Sequence, residues 1–342
     1  MIVSFRTSMR LKRLVKVLLA LVALTLAGLL IWLLWLDRYV VYGRERVWLD
    51  FSRSSRDLVG EVVEEKEPEP PISIYYNEGD NLLMTNTEMV RLSGYYVDAS
   101  MLSKDFDGVV NTIRRLPPGT PVMLEVKDDK GRFFYNTGLG ENHKSIDPNK
   151  MDALIRELCS GDLYAIARFP AYKEYLYPLE NVNHGLSSTK GPYLYWDPDR
   201  CYWLNPANNG AMAFLMSEIT EVKNLGFDEI VLADFRFPNT NEIIFKGDKT
   251  ETLNTVAKTL SDTYGSEHFV LSFEVTDTAF QLPAERCRIY KIGFLAEQVK
   301  KVAEETGLEN PEIQVVFTTE LLDTRFDAYG VMRPITSARI ED

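Results

Sequence analysis

Cysteine and histidine are scarce in this chain of 342 residues, with three of each. Cys159, Cys201 and Cys287 lie too far apart for a disulfide framework or a zinc site, so at most one disulfide can form and no metal is expected. His143, His184 and His268 are the only imidazoles. None sits in a strand-turn-helix elbow, which leaves no support for Ser–His–Asp or Cys–His chemistry. The patterns GxGxxG and GxxxxGK[ST] are also absent, so no dinucleotide or nucleotide cofactor is expected. Basic residues cluster only at the start, where Arg6, Arg10, Lys12, Arg13 and Lys16 stand without an acid. With −12 on the whole chain and five positive charges in residues 1–16, residues 17–342 carry −17. Such a balance argues against a nucleic-acid partner, which needs clustered Lys and Arg to displace counterions from phosphates.

Only one long apolar run is present, residues 17–36, and it holds no charge. At about 1.5 Å per residue, a helix of this length spans a hydrocarbon core of roughly 30 Å. The run continues through Trp32 and Trp35 to Asp37 and Arg38 with no small-residue cleavage site, so it reads as an uncleaved signal anchor. Basic residues 1–16 then remain cytoplasmic, and the rest of the chain is extracytoplasmic. Residues 42–58 are expected to form a short juxtamembrane helix. Residues 60–71, GEVVEEKEPEPP, form an extended, self-repelling stalk. The domain proper is residues 72–342, opening with a hairpin of residues 72–76 and 82–85.

Residues 226–238, GFDEIVLADFRFP, organise that domain. Residues 212–225 place Phe214, Leu215, Ile219, Val222 and Leu225 on one helical face, and Gly226 follows where a helix terminus favours positive φ. The next five residues, 229–233, read as a strand buried on both faces, which is typical of parallel sheets. Helices are expected at 106–116, 151–158, 252–260 and 295–305. Further strands are expected at 94–97, 121–126, 163–167, 269–273 and 313–317. Repeated strand-helix units over some 250 residues predict an α/β protein, a (β/α) TIM-like barrel, with the chain after Glu274 looking short for eight full units.

Ligands meet parallel barrels at the carboxyl ends of the strands. The acids expected there are Asp98, Glu125, Asp128, Asp129, Asp234, Glu274 and Glu320. Asp98 can equally cap the following helix, Asp128 can simply make a polar turn, and Asp234 can merely pair with Arg236. Eight tyrosine and tryptophan rings, among them Trp196 and Trp203, fall within residues 172–203, in mostly polar loop. Flat rings at a barrel mouth can stack on sugars or close a second small core.

Several ordered pieces resemble a family of glycosyl-hydrolase-like TIM-barrel domains of bacterial surface proteins, within the broad amylase-like group. They are Gly94-Tyr95-Tyr96-Val97, Val126-Lys127-Asp128-Asp129 with Gly131, Ile166-Ala167-Arg168-Phe169 with Lys173, Trp196-Asp197, Trp203, Asn205-Pro206, and Gly226 to Ile230 with Arg236-Phe237-Pro238. The resemblance, over about residues 94–238, implies a barrel and a carbohydrate setting. The family reads Phe-Asp-Tyr-Val-Arg-Phe-Pro at the last of these, so Ala233 stands at its acid and Asp234 at its tyrosine. Carboxylate acid/base hydrolysis would use Asp234, Glu125 and Glu274. Tyr96, Asp128, Trp196, Trp203 and Arg236 would contact a polysaccharide or other glycan. The membrane is the second partner, through the N-terminal helix. A degenerate glycan-binding or scaffold barrel and a protein-interaction module remain the competing classes.

Overall fold

The computed structural model describes residues 89–338 except Glu267, and of the earlier chain Thr25 and the strands Val40–Tyr42 and Val47–Leu49. The chain divides into two units, Met1–Asp80 and Asn81–Asp342. In the first unit the two strands pair antiparallel, with Val40 opposite Leu49 and Tyr42 opposite Val47. A hairpin therefore stands where the juxtamembrane helix was expected to begin. Valine-rich runs on either side of Gly43 favour strands joined by a turn over a helix. The apolar run 17–36, the stalk and the expected opening hairpin at 72–85 lie outside the described residues. Among the described residues no helix is long and apolar enough to cross a membrane.

The second unit is a closed barrel of eight parallel strands. They are β1 (Ser93–Val97), β2 (Pro121–Glu125), β3 (Tyr164–Pro170), β4 (Glu229–Ala233), β5 (Val270–Glu274), β6 (Ile289–Ile292), β7 (Val315–Thr318) and β8 (Gly330–Pro334). Each pairs with its chain neighbours, and β8 closes on β1. The expected shortfall after Glu274 falls on the helices. Helices α1 (Ala99–Ile113), α2 (Pro148–Ser160), α3 (Asn209–Asn224) and α4 (Lys249–Tyr264) serve the first half. After β5 the chain returns through residues 275–288 without a helix, and α5 (Val299–Glu304) and α6 (Pro311–Gln314) are short. Between β7 and β8 there is only a 3-10 turn, Thr324–Ala328. A parallel crossover needs about a dozen residues, and they need not be helical. Strands β6 and β8 were not expected from sequence, since Lys291 interrupts one and a proline ends the other.

Polar caps set the long helices. Asp98, Asp147, Asn208 and Asp248 each accept a backbone N–H of the first turn of α1 to α4 respectively. Helix α1 begins at Ala99, ahead of the expected start at Phe106, and breaks its helical angles at Asp105 (φ −154°) just before the clean apolar period. Gly226 takes φ +97° at the end of α3, as the glycine stop requires. All five residues of β4 are buried.

Side chains alternate along each strand, and the inward set forms its own core inside the barrel: Leu92, Met123, Ile166, Val231, Tyr290, Val316 and Met332. Below it, at the amino-terminal end, Glu229 is fully buried. It accepts hydrogen bonds from Tyr164 Oη, Ser272 Oγ and Tyr290 Oη and pairs with Arg288 at 2.5 Å. This network joins β3, β4, β5 and β6, and it is remote from the strand ends where chemistry would be placed.

Candidate active site at the barrel mouth

Two residues above that core, the same alternation brings Glu125, Arg168, Ala233 and Glu274 to the carboxyl ends of β2, β3, β4 and β5. Arg168 is the hub. Its Nη2 and Nε donate to Glu274 Oε2 at 2.8 and 3.1 Å, and its Nη1 lies 3.5 Å from Glu125 Oε1. Glu125 Oε2 accepts the Ala99 N–H at 2.8 Å. Burial raises the Glu125 pKa above the usual carboxylate range, against the pull of Arg168 and the Ala99 N–H, with Asp98 and Asp128 adding to the rise. Burial opposes the charge on Arg168, yet Glu274 and Glu125 outweigh it and hold the guanidinium protonated. Beside this group opens a cleft of about 740 Å³, lined by Tyr96, Asp98, Glu125, Arg168, Thr318 and Glu320 among others.

Asp234 is not part of the row. It leaves the strand in a left-handed turn (φ 47°), and its Oδ1 accepts from Arg236 Nη2 at 2.9 Å. Arg236 in turn lies over the Trp203 ring at 4.8 Å. The turn begins at Asp234 itself, and its carboxylate, placed by the expectation in the catalytic set, pairs with Arg236 while its charge also helps hold Arg168 protonated. The inward place at 233 carries only a methyl group.

Other expected contacts are redistributed as well. Trp203 is 2% exposed and donates its Nε1–H to Asp197 Oδ2 at 2.8 Å, so it packs the loop and offers no free face to a sugar. Asp128 Oδ1 accepts the N–H groups of Lys130 and Arg132, which makes it the organiser of its own turn. Trp196 is 46% exposed and meets Tyr202 and Tyr175 edge-on, while Tyr175 and Tyr202 stack on each other. Tyr96 faces the cleft. The bridging role of Arg168 was not read from sequence: its motif was visible, but the register that sets it opposite Glu125 was not. Among the described residues no group of His, Cys, Asp and Glu is arranged to hold a metal ion.

A closed parallel barrel with inward carboxylates at its carboxyl mouth has the architecture of (β/α)-barrel enzymes. The chain belongs to the family described as "putative glycosyl hydrolase domain", whose model matches residues 94–275, more than half of its length. Among solved structures it is similar to a GH36 α-galactosidase from Geobacillus stearothermophilus in complex with stachyose, at 12% identity and a TM-score of 0.51, over 73% of this chain and 40% of that one. A hypothetical protein from Ruminiclostridium thermocellum is 20% identical over 53% of this chain and 97% of its own, with a TM-score of 0.46. A GH31 dextranase from Flavobacterium johnsoniae is 8% identical over 67% and 32%, at 0.47. The α-galactosidase likeness speaks to the fold alone, and this chain spans less than half of either glycosidase. No curated protein matches the chain.

Proposed function

We propose that this protein hydrolyses a cell-envelope or extracellular polysaccharide at the barrel mouth, with Glu125 as proton donor. The observation that carries this reading is Glu125 itself, an inward carboxyl on the lip of an open cleft that holds its proton more tightly than usual. A general acid must hold its proton more tightly than a free carboxyl and must reach the leaving oxygen; burial favours the first and the cleft-side position the second. Glu274, fixed by Arg168, is the second carboxylate of the pair that glycoside hydrolysis uses. Tyr96 in the cleft is its aromatic sugar contact, and the exposed Trp196 ring, outside the cleft lining, is offered as a contact for a longer chain. Residues 17–36 would anchor the chain, supported by the basic residues before them and the acidic spacer after them.

Release of reducing ends from a panel of envelope polysaccharides tests the assignment. Glu125→Gln is expected to lower turnover by about 10²–10⁴-fold with the fold intact. Turnover that survives this change removes Glu125 from the mechanism. A second reading, an inert glycan-binding barrel, is favoured by one observation: Ala233 stands at the family's acid and Arg168 fills the gap between Glu125 and Glu274. In that case the wild type retains glycans on an affinity gel and releases no reducing ends from any of them.

A further inference from the structure

We infer that Arg168 is a positioning residue that divides the work between the two carboxyls, fixing Glu274 as the acceptor and leaving Glu125 Oε1 as the oxygen that passes its proton to the leaving group. The inference rests on the hydrolase reading of the mouth. Its ground is the unequal grip of one guanidinium. Nε and Nη2 both donate to Glu274 Oε2, at 3.1 and 2.8 Å, inside the ordinary hydrogen-bond range. An oxygen that takes two donors is a carboxylate oxygen without a proton. Toward Glu125 the reach is loose, with Nη1 3.5 Å from Oε1, at the far edge of a hydrogen bond. The other oxygen, Oε2, is taken by the Ala99 N–H at 2.8 Å. Oε1 is therefore the oxygen with room to carry the proton.

Among the described residues no other cation is placed to take this part. Arg168 is the basic side chain of the cleft lining. The basic groups near the neighbouring strand ends are engaged: Lys127 pairs with Glu174 and Glu218, Lys173 with Asp199 and Asp129, and Arg236 with Asp234. The remaining ionisable groups that face the pair are acids. Asp98 and Asp128 act on Glu125 from beyond β1 and β2, Asp234 acts on Arg168 from beyond β4, and the Tyr96 phenol on β1 feels Glu320, Asp98 and the guanidinium. Among side chains, Arg168 is thus what pulls against the Glu125 proton, while burial and the acids hold it on. Glu125 and Arg168 stand directly opposite each other on adjoining strands, so strand spacing does not force the long contact. Commitment to Glu274 draws the guanidinium away.

Two measurements on the full chain in detergent micelles test this: the pH profile of reducing-end release from whichever envelope polysaccharide the wild type cleaves fastest, and a carboxyl NMR titration of Glu125. Glu125 must be protonated to act, so activity falls as pH rises through its pKa. Arg168→Gln removes the pull on that proton, and both the alkaline limb and the Glu125 titration are expected to move up by about one pH unit. In the same variant kcat should fall about 10²-fold with KM nearly unchanged, as for a lost alignment. Arg168→Lys keeps the charge and loses the fork, so it should return the titration toward the wild type and recover only part of kcat. Glu274→Gln gives the opposite sign: the freed guanidinium turns to Glu125, whose titration moves down by a similar amount. An arginine that merely braces the fold would move neither. A Glu125 titration or a kcat unmoved in Arg168→Gln or, where that variant does not fold, a titration unmoved in Glu274→Gln overturns the proposal and leaves the hydrolase reading intact. Turnover that survives Glu125→Gln, or a wild type that releases no reducing ends, removes the hydrolase reading and this inference with it.

Discussion

Ala233 stands on β4 between Arg168 on β3 and Glu274 on β5, and its methyl group leaves the guanidinium a clear path across the strand. A carboxylate there would stand in that path and compete for the same donors. Asp234 stands one residue beyond that place, and its left-handed backbone brings the side chain to Arg236. Aspartate tolerates this conformation better than most residues, at some cost in strain. With 20% and 28% of the two side chains exposed, the Asp234–Arg236 pair is part-buried, between the surface and the interior cases of ion pairs. Asp234→Asn is therefore expected to lower stability by ~1–3 kcal/mol, between the exposed and the buried cases, and to change turnover less than about twofold. Thermal melts and the reducing-end assay read both quantities, and a hundredfold loss of turnover would return Asp234 to the mechanism.

Among the elements, the segment between β3 and α3 is held down by a charge cluster with no place in the proposed chemistry. Lys127, just beyond β2, is buried with Glu174 of this segment and Glu218 of α3, and its Nζ pairs with both carboxylates. Glu174 also receives the N–H groups of Tyr175, Leu176 and Tyr177, which starts the short helix Leu176–Glu180. One ammonium cannot serve two buried carboxylates equally. Burial pushes the Glu218 pKa up to about 7, with Lys127 opposing and Glu174 adding, and its Oε2 has no hydrogen-bond partner among the described residues. The sign follows from linkage. A carboxyl whose folded pKa is raised binds its proton more tightly when folded, so stability falls as pH rises from the unfolded value, about 4.3, to about 7. The loss from this group is on the order of 3 kcal/mol. Denaturant melts of wild type and Glu218→Gln across pH 4–8 should diverge by that sense and size, with the variant losing less stability on going up. Parallel curves would show that another group sets the slope.

At the scale of the whole molecule, the barrel is closed in its strands and uneven in its helices. Long capped helices cover β1 to β5, whereas β6, β7 and β8 are joined by irregular chain, two short helices and a 3-10 turn. The Glu229–Arg288 network compensates at the base, because it ties β6 to β3, β4 and β5 from inside the ring. Breaking such a buried pair from one side typically costs ~3–5 kcal/mol. The sparse helical cover also frames the cleft, which lies on the β6, β7, β1 and β2 side of the mouth. Topology is the prediction that belongs to this scale. Protease added to intact cells stripped of any outer membrane should cut within residues 64–71 and release a soluble fragment, leaving residues 1–16 uncut. Cleavage in residues 1–16 with residues 64–71 protected would reverse the orientation.

Residues 226–238 show how far local pattern reaches. The glycine stop, the bounds of β4 and its burial on both faces follow from neighbours along the chain, and all three are observed. The cap at Asp98 and the turn at Asp128 are legible for the same reason, since each needs only residues within four positions. The strands that complete the barrel were not legible. Strands β6 and β8 are short and polar or proline-ended, and only their neighbours in the ring make them strands. The mouth depends still more on tertiary structure. Which carboxylates share Arg168, which ring of the tyrosine-rich segment stays exposed, and which lysine is buried between two glutamates are set by the register of distant strands. Sequence alone determined the barrel class and the stretch where its chemistry would be sought. The folded chain decided that Arg168 joins Glu125 and Glu274 there and that Asp234 pairs with Arg236, because strand closure sets those distances.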